Sequence, residues 1–136
     1  MIIDLYGARR LDDVGHVERT LKRCVEASGA TLLHLHLHPL KPTGGVTGVA
    51  VLEESHIAIH SWPENGYAAL DIFMSGRADP ARVIPVLQKA FEAKEVCVTA
   101  QLRGAASGEN GERKGKTKRK PPAARLRATR KAKAAA

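Results

Sequence analysis

The chain has 136 residues, 43% of them hydrophobic and 26% charged, a length and composition typical of one soluble globular domain. Its apolar runs fall short of the roughly 18 residues that a membrane-spanning helix needs, and its first residues lack the basic and long apolar regions of a signal peptide, so we expect a cytoplasmic protein. The net charge of +8 is unevenly distributed: residues 1–104 carry 11 Lys and Arg against 12 Asp and Glu, a net charge of −1, whereas residues 105–136 carry 11 against 2, a net charge of +9.

The first forty residues predict a strand, a helix and a second strand. Residues 1–6 form a short apolar segment that contains one acid, Asp4. A helix is predicted next, because apolar residues recur at helical spacing after the acidic pair at positions 12 and 13 and stop before Gly29, a typical helix cap. In residues 31–40 the period changes to two, which predicts a strand with leucines (Leu33, Leu35 and Leu37) on one face and histidines on the other.

Three histidines share one face of this second strand: His34, His36 and His38. Histidines at alternate strand positions can hold a metal ion. They equally suit the polar face of a half-buried sheet, and because no acidic or cysteine partner is adjacent we favour that interpretation and expect no metal. The two cysteines, Cys24 and Cys97, also lack metal-site spacing and are expected to be reduced and buried.

The rest of the chain predicts four further strands and one helix. Residues 46–52 and 67–74 are apolar strand segments that flank a more polar strand. Gly48, inside the first of them, marks a bulge or a close approach of another backbone. Asp79, followed by a proline, predicts the start of a second helix, and residues 95–102 predict the last strand.

This order of elements predicts an α+β fold. We expect a two-layer sandwich in which two helices cover one face of a mainly antiparallel sheet. The domain spans residues 1–104. Residues 105–136 are rich in Ala, Lys, Arg, Gly and Pro with one large aliphatic residue, so they cannot bury a core and are predicted to be a disordered basic tail.

The stretch from Glu53 to Glu64 places acids, histidines and the only tryptophan between two apolar strands. Taken singly, these residues suit a polar turn and the end of a half-buried strand. A hydrolase-like pair of Ser55 and His56 is not favoured, because neighbouring side chains on a strand point to opposite faces. The Gly-x-Ser-x-Gly motif of many hydrolases is also absent from the sequence.

A specific resemblance begins at this stretch. Residues 54–64, Glu-Ser-His-Ile-Ala-Ile-His-Ser-Trp-Pro-Glu, together with residues 67–73 and Ser75-Gly76, resemble the signature of bacterial and archaeal S-adenosylmethionine decarboxylase proenzymes. The similarity in layout extends over residues 1–104, whereas the basic tail lies outside it.

The resemblance implies an enzyme that makes its own cofactor, a pyruvoyl group, from Ser55. In such a chain Ser55 attacks the carbonyl of Glu54 and the peptide becomes an ester. Elimination and hydrolysis then leave one chain of residues 1–54 and a second chain that begins with the pyruvoyl group. The substrate amine forms a Schiff base with this group, which accepts the electrons left by carbon dioxide, so no external cofactor or metal is expected.

Matching positions suggest further site residues. His60 would move protons during self-cleavage, Thr47 matches a hydroxyl residue assigned to processing, and Glu64 matches the glutamate that holds the ribose of the substrate. Two positions depart from the family. Ser75 replaces a cysteine that returns a proton to the substrate carbon, and a hydroxyl is a far weaker acid than a thiol of pKa about 8.5. Residues 39–43 lack the aromatic residue that stacks on adenine.

Both departures concern the nucleoside substrate or its protonation, so the sequence favours a decarboxylase of a free basic amino acid, ornithine or arginine. Asp4, Glu64 and Asp71 are candidate partners for the distal cation of such a substrate, and Trp62 is another candidate contact. One alternative is S-adenosylmethionine decarboxylase itself, which supplies the aminopropyl donor for spermidine synthesis. An alternative of another class is a catalytically silent domain whose basic tail binds nucleic acid.

The partners expected from these patterns are few. A small cationic substrate of amino-acid type is expected, and no membrane. The resemblance implies a homodimer of processed protomers, to whose interface the histidine face of the second strand is suited. The basic tail suits nonspecific binding of polyanions, because it has neither interleaved aromatic residues nor a nucleic-acid-binding motif.

Overall fold

Six strands and two helices make up residues 1–104, the part of the chain that the computed structural model describes. The helices are α1 (Val14–Ser28) and α2 (Val83–Ala90), and short 3-10 turns lie at Pro63–Asn65 and Pro80–Arg82. The strands are β1 (Ile2–Tyr6), β2 (Leu32–Pro39), β3 (Val46–Leu52), β4 (Ser55–Trp62), β5 (Tyr67–Met74) and β6 (Glu95–Thr99). The predicted basic tail, residues 105–136, lies outside the described residues.

All six strands form one sheet in the order β2-β3-β4-β5-β1-β6, and every neighbouring pair is antiparallel. Both helices pack on the same side of this sheet and share one hydrophobic core with it. The predicted α+β sandwich is therefore confirmed. Strand β1, the first along the sequence, is not at an edge of the sheet but lies between β5 and β6.

The two faces of the sheet differ in composition because alternate strand residues point to opposite sides. One face and the helices bury large apolar side chains, among them Ile3, Leu5, Leu21, Ile57, Ile59, Leu70, Ile72, Leu87 and Phe91. The other face, here called the open face, has no helix over it among the described residues. It carries the side chains Asp4, Tyr6, Thr47, His56, His60, Trp62, Tyr67, Asp71 and Phe73, each at least partly exposed.

Local signals in the sequence set the ends of the helices. The Asp13 carboxylate accepts a hydrogen bond from the backbone N–H of His16 at 3.0 Å, which caps the start of α1. Gly29 ends the helix at φ 76°, a conformation that glycine adopts without strain. Asp79 caps a 3-10 turn that leads into α2, so the second helix begins later than the sequence predicts.

Three expectations are wrong in detail. Leu33 is 59% exposed rather than inward-facing, because a register shift between Leu32 and His34 interrupts the alternation. Cys97 is exposed on β6, whereas Cys24 is buried as expected. The last strand ends at Thr99, three residues before the predicted end.

Gly48 lies within β3, and we predict that this position does not tolerate a side chain. A Cβ atom there would lie 2.3 Å from the carbonyl oxygen of His36 and 2.4 Å from the Leu37 side chain. We expect Gly48→Ala to lower the free energy of unfolding by about 1–3 kcal/mol, measured by urea denaturation, because paired backbones cannot separate freely. Gly15→Ala is the matched control: its Cβ would lie 3.2 Å from the flexible side chain of Arg19 and 3.6 Å, an ordinary van der Waals distance, from that of Asp13, so no loss is expected. Equal midpoints for the two variants would contradict this account.

Candidate active site

A tight turn between β3 and β4 holds Glu53 and Glu54. The N–H of Glu53 donates to the carbonyl of Thr31 at 3.0 Å, and the N–H of Thr31 donates to the Glu54 carboxylate at 2.9 Å. These two bonds tie the turn to the segment that enters β2. The peptide bond between Glu54 and Ser55 therefore lies at a fixed position at one end of the sheet.

The carbonyl oxygen of Glu54 accepts two hydrogen bonds from a single residue. Both the backbone N–H and the side-chain hydroxyl of Ser75 donate to it, each at 3.0 Å. Two donors on one carbonyl oxygen draw electrons from the carbonyl carbon and stabilise negative charge on the oxygen. This is the arrangement of an oxyanion hole.

Ser55 has an unusual backbone conformation, with φ at 142°. A positive φ is unfavourable for a residue with a side chain, so strain is concentrated at this position. The Ser55 hydroxyl oxygen lies 3.3 Å from Nδ1 of His56. The expectation that these neighbours point apart is therefore wrong, because Ser55 opens β4 and lacks regular strand geometry.

A second set of predicted site residues lies at the other end of β4. Thr47 Oγ1 and His60 Nδ1 are hydrogen-bonded at 2.5 Å across the β3–β4 pair. The His60 ring is tilted against Trp62, with centroids 6.5 Å apart. Glu64 follows in the 3-10 turn, where it is exposed. We call Thr47, His60, Trp62 and Glu64 the histidine group.

Aromatic rings extend this group across the open face. Trp62 stacks on Tyr67 at 5.2 Å between centroids, and Tyr67 stacks on Tyr6 at 5.3 Å. The Tyr67 hydroxyl donates to the Asp4 carboxylate at 2.7 Å. Burial, together with this hydrogen bond and the charge of Asp4, raises the pKa of Tyr67 well above its ordinary value, so the phenol stays protonated and remains a donor.

The structure does not bring the histidine group to Ser55 within one chain. His60 follows Ser55 by five positions on the same strand, which at about 3.3 Å per residue separates their backbones by roughly 16 Å. Glu54, Ser55 and Ser75 form a separate set, which we call the cleavage group. Asp71 lies between the two sets: it is exposed on the open face, paired with Ala58 of β4 and Ile2 of β1.

Residues 1–104 contain neither a cluster of possible metal ligands nor a helix suited to spanning a membrane. His34, His36 and His38 are exposed along β2, as the alternation predicts. Within the described part of the chain, no three His, Cys, Asp or Glu side chains are close enough to share a metal ion. No helix in that part is long and apolar enough to cross a membrane.

Several site features are not evident from the sequence patterns. The role of Ser75 as a double donor depends on a contact between residues 21 positions apart. The stacking of Tyr6 on Tyr67 depends on the insertion of β1 beside β5. By contrast, the separation of Ser55 from His60 has a visible signal, since five strand positions always span a long distance.

Comparison with known proteins agrees with this architecture. The family model described as S-adenosylmethionine decarboxylase matches residues 1–104. An S-adenosylmethionine decarboxylase proenzyme of Thermomicrobium roseum is 41% identical over 105 residues, covering 76% of this chain and 90% of that protein. One of Methanococcus maripaludis strain C7 is 45% identical over 107 residues, covering 76% and 87%.

A solved structure gives the same result. The crystal structure of the adenosylmethionine decarboxylase from Aquifex aeolicus VF5 matches with a TM-score of 0.68 and 30% identity, over 82% of this chain and 93% of that one. Proteins of this family are decarboxylases that use a pyruvoyl group formed from a serine of their own chain. The chain belongs to the S-adenosylmethionine decarboxylase proenzyme family and is a pyruvoyl-dependent carboxy-lyase.

Proposed function

We propose that this chain cleaves itself between Glu54 and Ser55 and then decarboxylates S-adenosylmethionine, whose product donates aminopropyl groups in spermidine synthesis. The observation that carries the proposal is the environment of the Glu54 carbonyl group. Its oxygen accepts two hydrogen bonds from Ser75, and the next residue is a serine with strained backbone. These are the features that a self-cleaving peptide bond requires.

The first step converts the peptide into an ester. The Ser55 hydroxyl oxygen attacks the carbonyl carbon of Glu54, and the negative charge that develops on the carbonyl oxygen is stabilised by the two donors of Ser75. The carbon–nitrogen bond then breaks, and the nitrogen of residue 55 takes up a proton to become a free amine. Loss of the peptide bond also relieves the strain at φ 142°.

The second step divides the chain. Removal of the α-proton of residue 55 breaks the bond between its Cβ and the ester oxygen, so Glu54 leaves as a carboxylate and residue 55 becomes dehydroalanine. Its imine tautomer is hydrolysed by water and releases ammonia. The residue that remains at the start of the second chain is a pyruvoyl group, which supplies an electron sink for decarboxylation.

The residues of the cleavage group fit this cofactor. Ser55 is the first residue of a strand, so a cut before it removes no residue from the β4 ladder. The Glu54 carboxylate is held by the N–H of Thr31 at 2.9 Å, which keeps the new chain end in place. The His56 ring lies 3.3 Å from the Ser55 oxygen and can take up its proton during attack.

S-adenosylmethionine is the substrate best supported, because the relatives found bear its name. Nothing in the comparisons supports the expected preference for ornithine or arginine. The aromatic stack of Tyr6, Tyr67 and Trp62 provides a surface for adenine, in place of the aromatic residue missing from residues 39–43. Stacking of a base on an aromatic ring contributes roughly 1–3 kcal/mol. Glu64, exposed beside the stack, suits the ribose hydroxyls.

A denaturing gel and a decarboxylation assay test the proposal together. The purified chain should run as two fragments, residues 1–54 and 55–136, instead of one band of 14.6 kDa. Carbon dioxide release is then measured in parallel with S-adenosylmethionine, ornithine and arginine. Turnover of ornithine or arginine alone would overturn the substrate assignment, and a chain that never divides would overturn the proposal as a whole.

We further propose that two chains form the active unit, packed through their open faces. The open face exposes large apolar side chains: Ile2 is 51% exposed, Trp62 39% and Val51 38%. A two-fold axis lying between the sheets and crossing β4 near Ala58 would place the histidine group of one chain opposite the cleavage group of the other. This explains how His60 takes part in cleavage although its own Ser55 is roughly 16 Å away.

Co-expression of two inactive chains tests this arrangement. We expect His60→Ala alone to remain uncut, and to be cut when it is co-expressed with a differently tagged Ser55→Ala chain that supplies His60. The matched control is co-expression with the double variant Ser55→Ala/His60→Ala, which should give no cleavage. Denaturing gels with tag-specific detection report which chain is cut. If His60→Ala cuts itself without a partner, the shared site is wrong.

A further inference from the structure

A cavity of about 310 Å³ opens on the open face beside the cleavage group. Its polar and aromatic lining consists of His56, Asp71, Phe73, Gln101 and Arg103, and the apolar residues Met1, Ile2 and Ile72 complete it. His56 connects it to the reaction centre, since its ring contacts the Ser55 hydroxyl at 3.3 Å and packs edge-on against Phe73. A molecule in this cavity therefore lies next to residue 55.

Arg103 is held in this cavity by an aromatic face. Its guanidinium carbon lies 4.3 Å from the centre of the Phe73 ring, a cation–π contact. This contact uses none of the guanidinium N–H groups as hydrogen-bond donors, and among residues 1–104 they donate no hydrogen bond. Among residues 1–104 no carboxylate lies within ion-pair distance of Arg103. The donors at its edge are thus available to a ligand.

The remaining charges of the cavity favour one orientation of an amino-acid substrate. Asp71 is the carboxylate in the lining, and it repels an anion while Arg103 attracts one. A planar guanidinium also matches a carboxylate in geometry, with two parallel hydrogen bonds. The ammonium of Met1 lies nearby, but it donates to the carbonyl of Ile72 at 2.6 Å. Arg103 is the cationic side chain in the lining, and it carries this recognition.

We propose that Arg103 binds the carboxylate of the substrate, the group that departs as carbon dioxide, and so selects substrate over product. This inference rests on the proposed function. Because the product no longer has a carboxylate, it loses the contact with Arg103 when the reaction is complete. The same residue therefore orients the substrate beside residue 55 and favours release of the product.

The test compares a ligand that has a carboxylate with its methyl ester, in which the negative charge is removed. The deaminated analogue of S-adenosylmethionine keeps the carboxylate but cannot condense with the enzyme, and its methyl ester has no carboxylate. Their affinities are measured by calorimetry on the processed wild-type protein, Arg103→Gln, Arg103→Lys and Arg23→Gln. Arg23 is an exposed residue of α1, on the other side of the sheet, and serves as the matched control.

We expect Arg103→Gln to weaken binding of the acid roughly 10- to 100-fold, with the ester changed by no more than about twofold. Arg103→Lys should fall between wild type and Arg103→Gln for the acid, because the charge is kept and the fork is lost. Arg23→Gln should match wild type for both ligands. Equal losses for acid and ester in Arg103→Gln, or no loss, would overturn the proposal.

Failure of this inference can be told apart from failure of the proposed function. If wild-type protein divides and releases carbon dioxide from S-adenosylmethionine while Arg103→Gln keeps its preference for the acid, only the role of Arg103 is wrong. Denaturing gels of Arg103→Gln should show normal division into two fragments, since Arg103 does not contact the Glu54 carbonyl. If wild-type protein does not divide, the function itself is at fault.

Discussion

Ser55→Ala is expected to remain a single chain of 14.6 kDa without decarboxylase activity. The methyl side chain cannot attack the Glu54 carbonyl, so neither the ester nor the pyruvoyl group can form. The fold should persist, because Ser55 is the first residue of β4 and its side chain contacts only His56 among the hydrogen-bonding groups of residues 1–104. Gel electrophoresis, circular dichroism and carbon dioxide release measure the three properties separately.

The matched control for this variant is Ser107→Ala, a serine outside residues 1–104. It should divide and decarboxylate as the wild type does. Brief treatment with hydroxylamine adds a second readout, because it cuts an ester and leaves an ordinary peptide intact. Newly made wild-type chain should therefore be cut at residue 54 and Ser55→Ala should not. Division of Ser55→Ala at this bond would refute the assignment of the reactive serine.

Ser75→Ala is expected to slow division of the chain by roughly 10- to 100-fold. The variant removes the hydroxyl that donates to the Glu54 carbonyl at 3.0 Å, while the backbone N–H of the same residue still donates. Because one donor remains and Ser75 is exposed, the effect should be smaller than that of removing a fully enclosed donor. The rate is followed by cell-free synthesis and timed samples on denaturing gels.

Two further substitutions of Ser75 distinguish the effect of the hydroxyl donor from the effect of a changed side-chain size. Ser75→Thr keeps a hydroxyl and should divide within a few-fold of the wild-type rate. Ser75→Cys offers a weaker donor and should divide more slowly, although its thiol is a stronger acid for a later protonation. A wild-type rate for Ser75→Ala would mean that the hydroxyl contributes nothing to cleavage.

Much of the fold is predictable because its signals are local. Alternation with a period of two marks most of β2, apolar segments mark β3 and β5, and Asp13 and Gly29 mark the ends of α1. The exposure of Leu33 is not predictable, because it depends on how β2 shifts register against β3. Strand order is equally inaccessible from local patterns, since β1 and β6 pair across almost the whole domain.

The site divides in the same way. The proposed reactive bond is identified from the resemblance of residues 54–64 to the family signature, because these residues are contiguous in the sequence. The donors on the Glu54 carbonyl, the aromatic stack and the guanidinium over Phe73 all join distant parts of the chain. Such contacts form only when the strands pair, so no short pattern encodes them.

The position of β1 determines what happens after the chain is cut. Residues 1–54 contain β1, β2 and β3, and residues 55–136 contain β4, β5 and β6. Strand β1 is paired on one edge with β5 and on the other with β6, while β3 is paired with β4. Three of the five strand pairs thus join the two pieces. The proposed cleavage therefore gives a protomer of two interleaved subunits, and we expect its unfolding to be a dissociation whose midpoint rises with protein concentration.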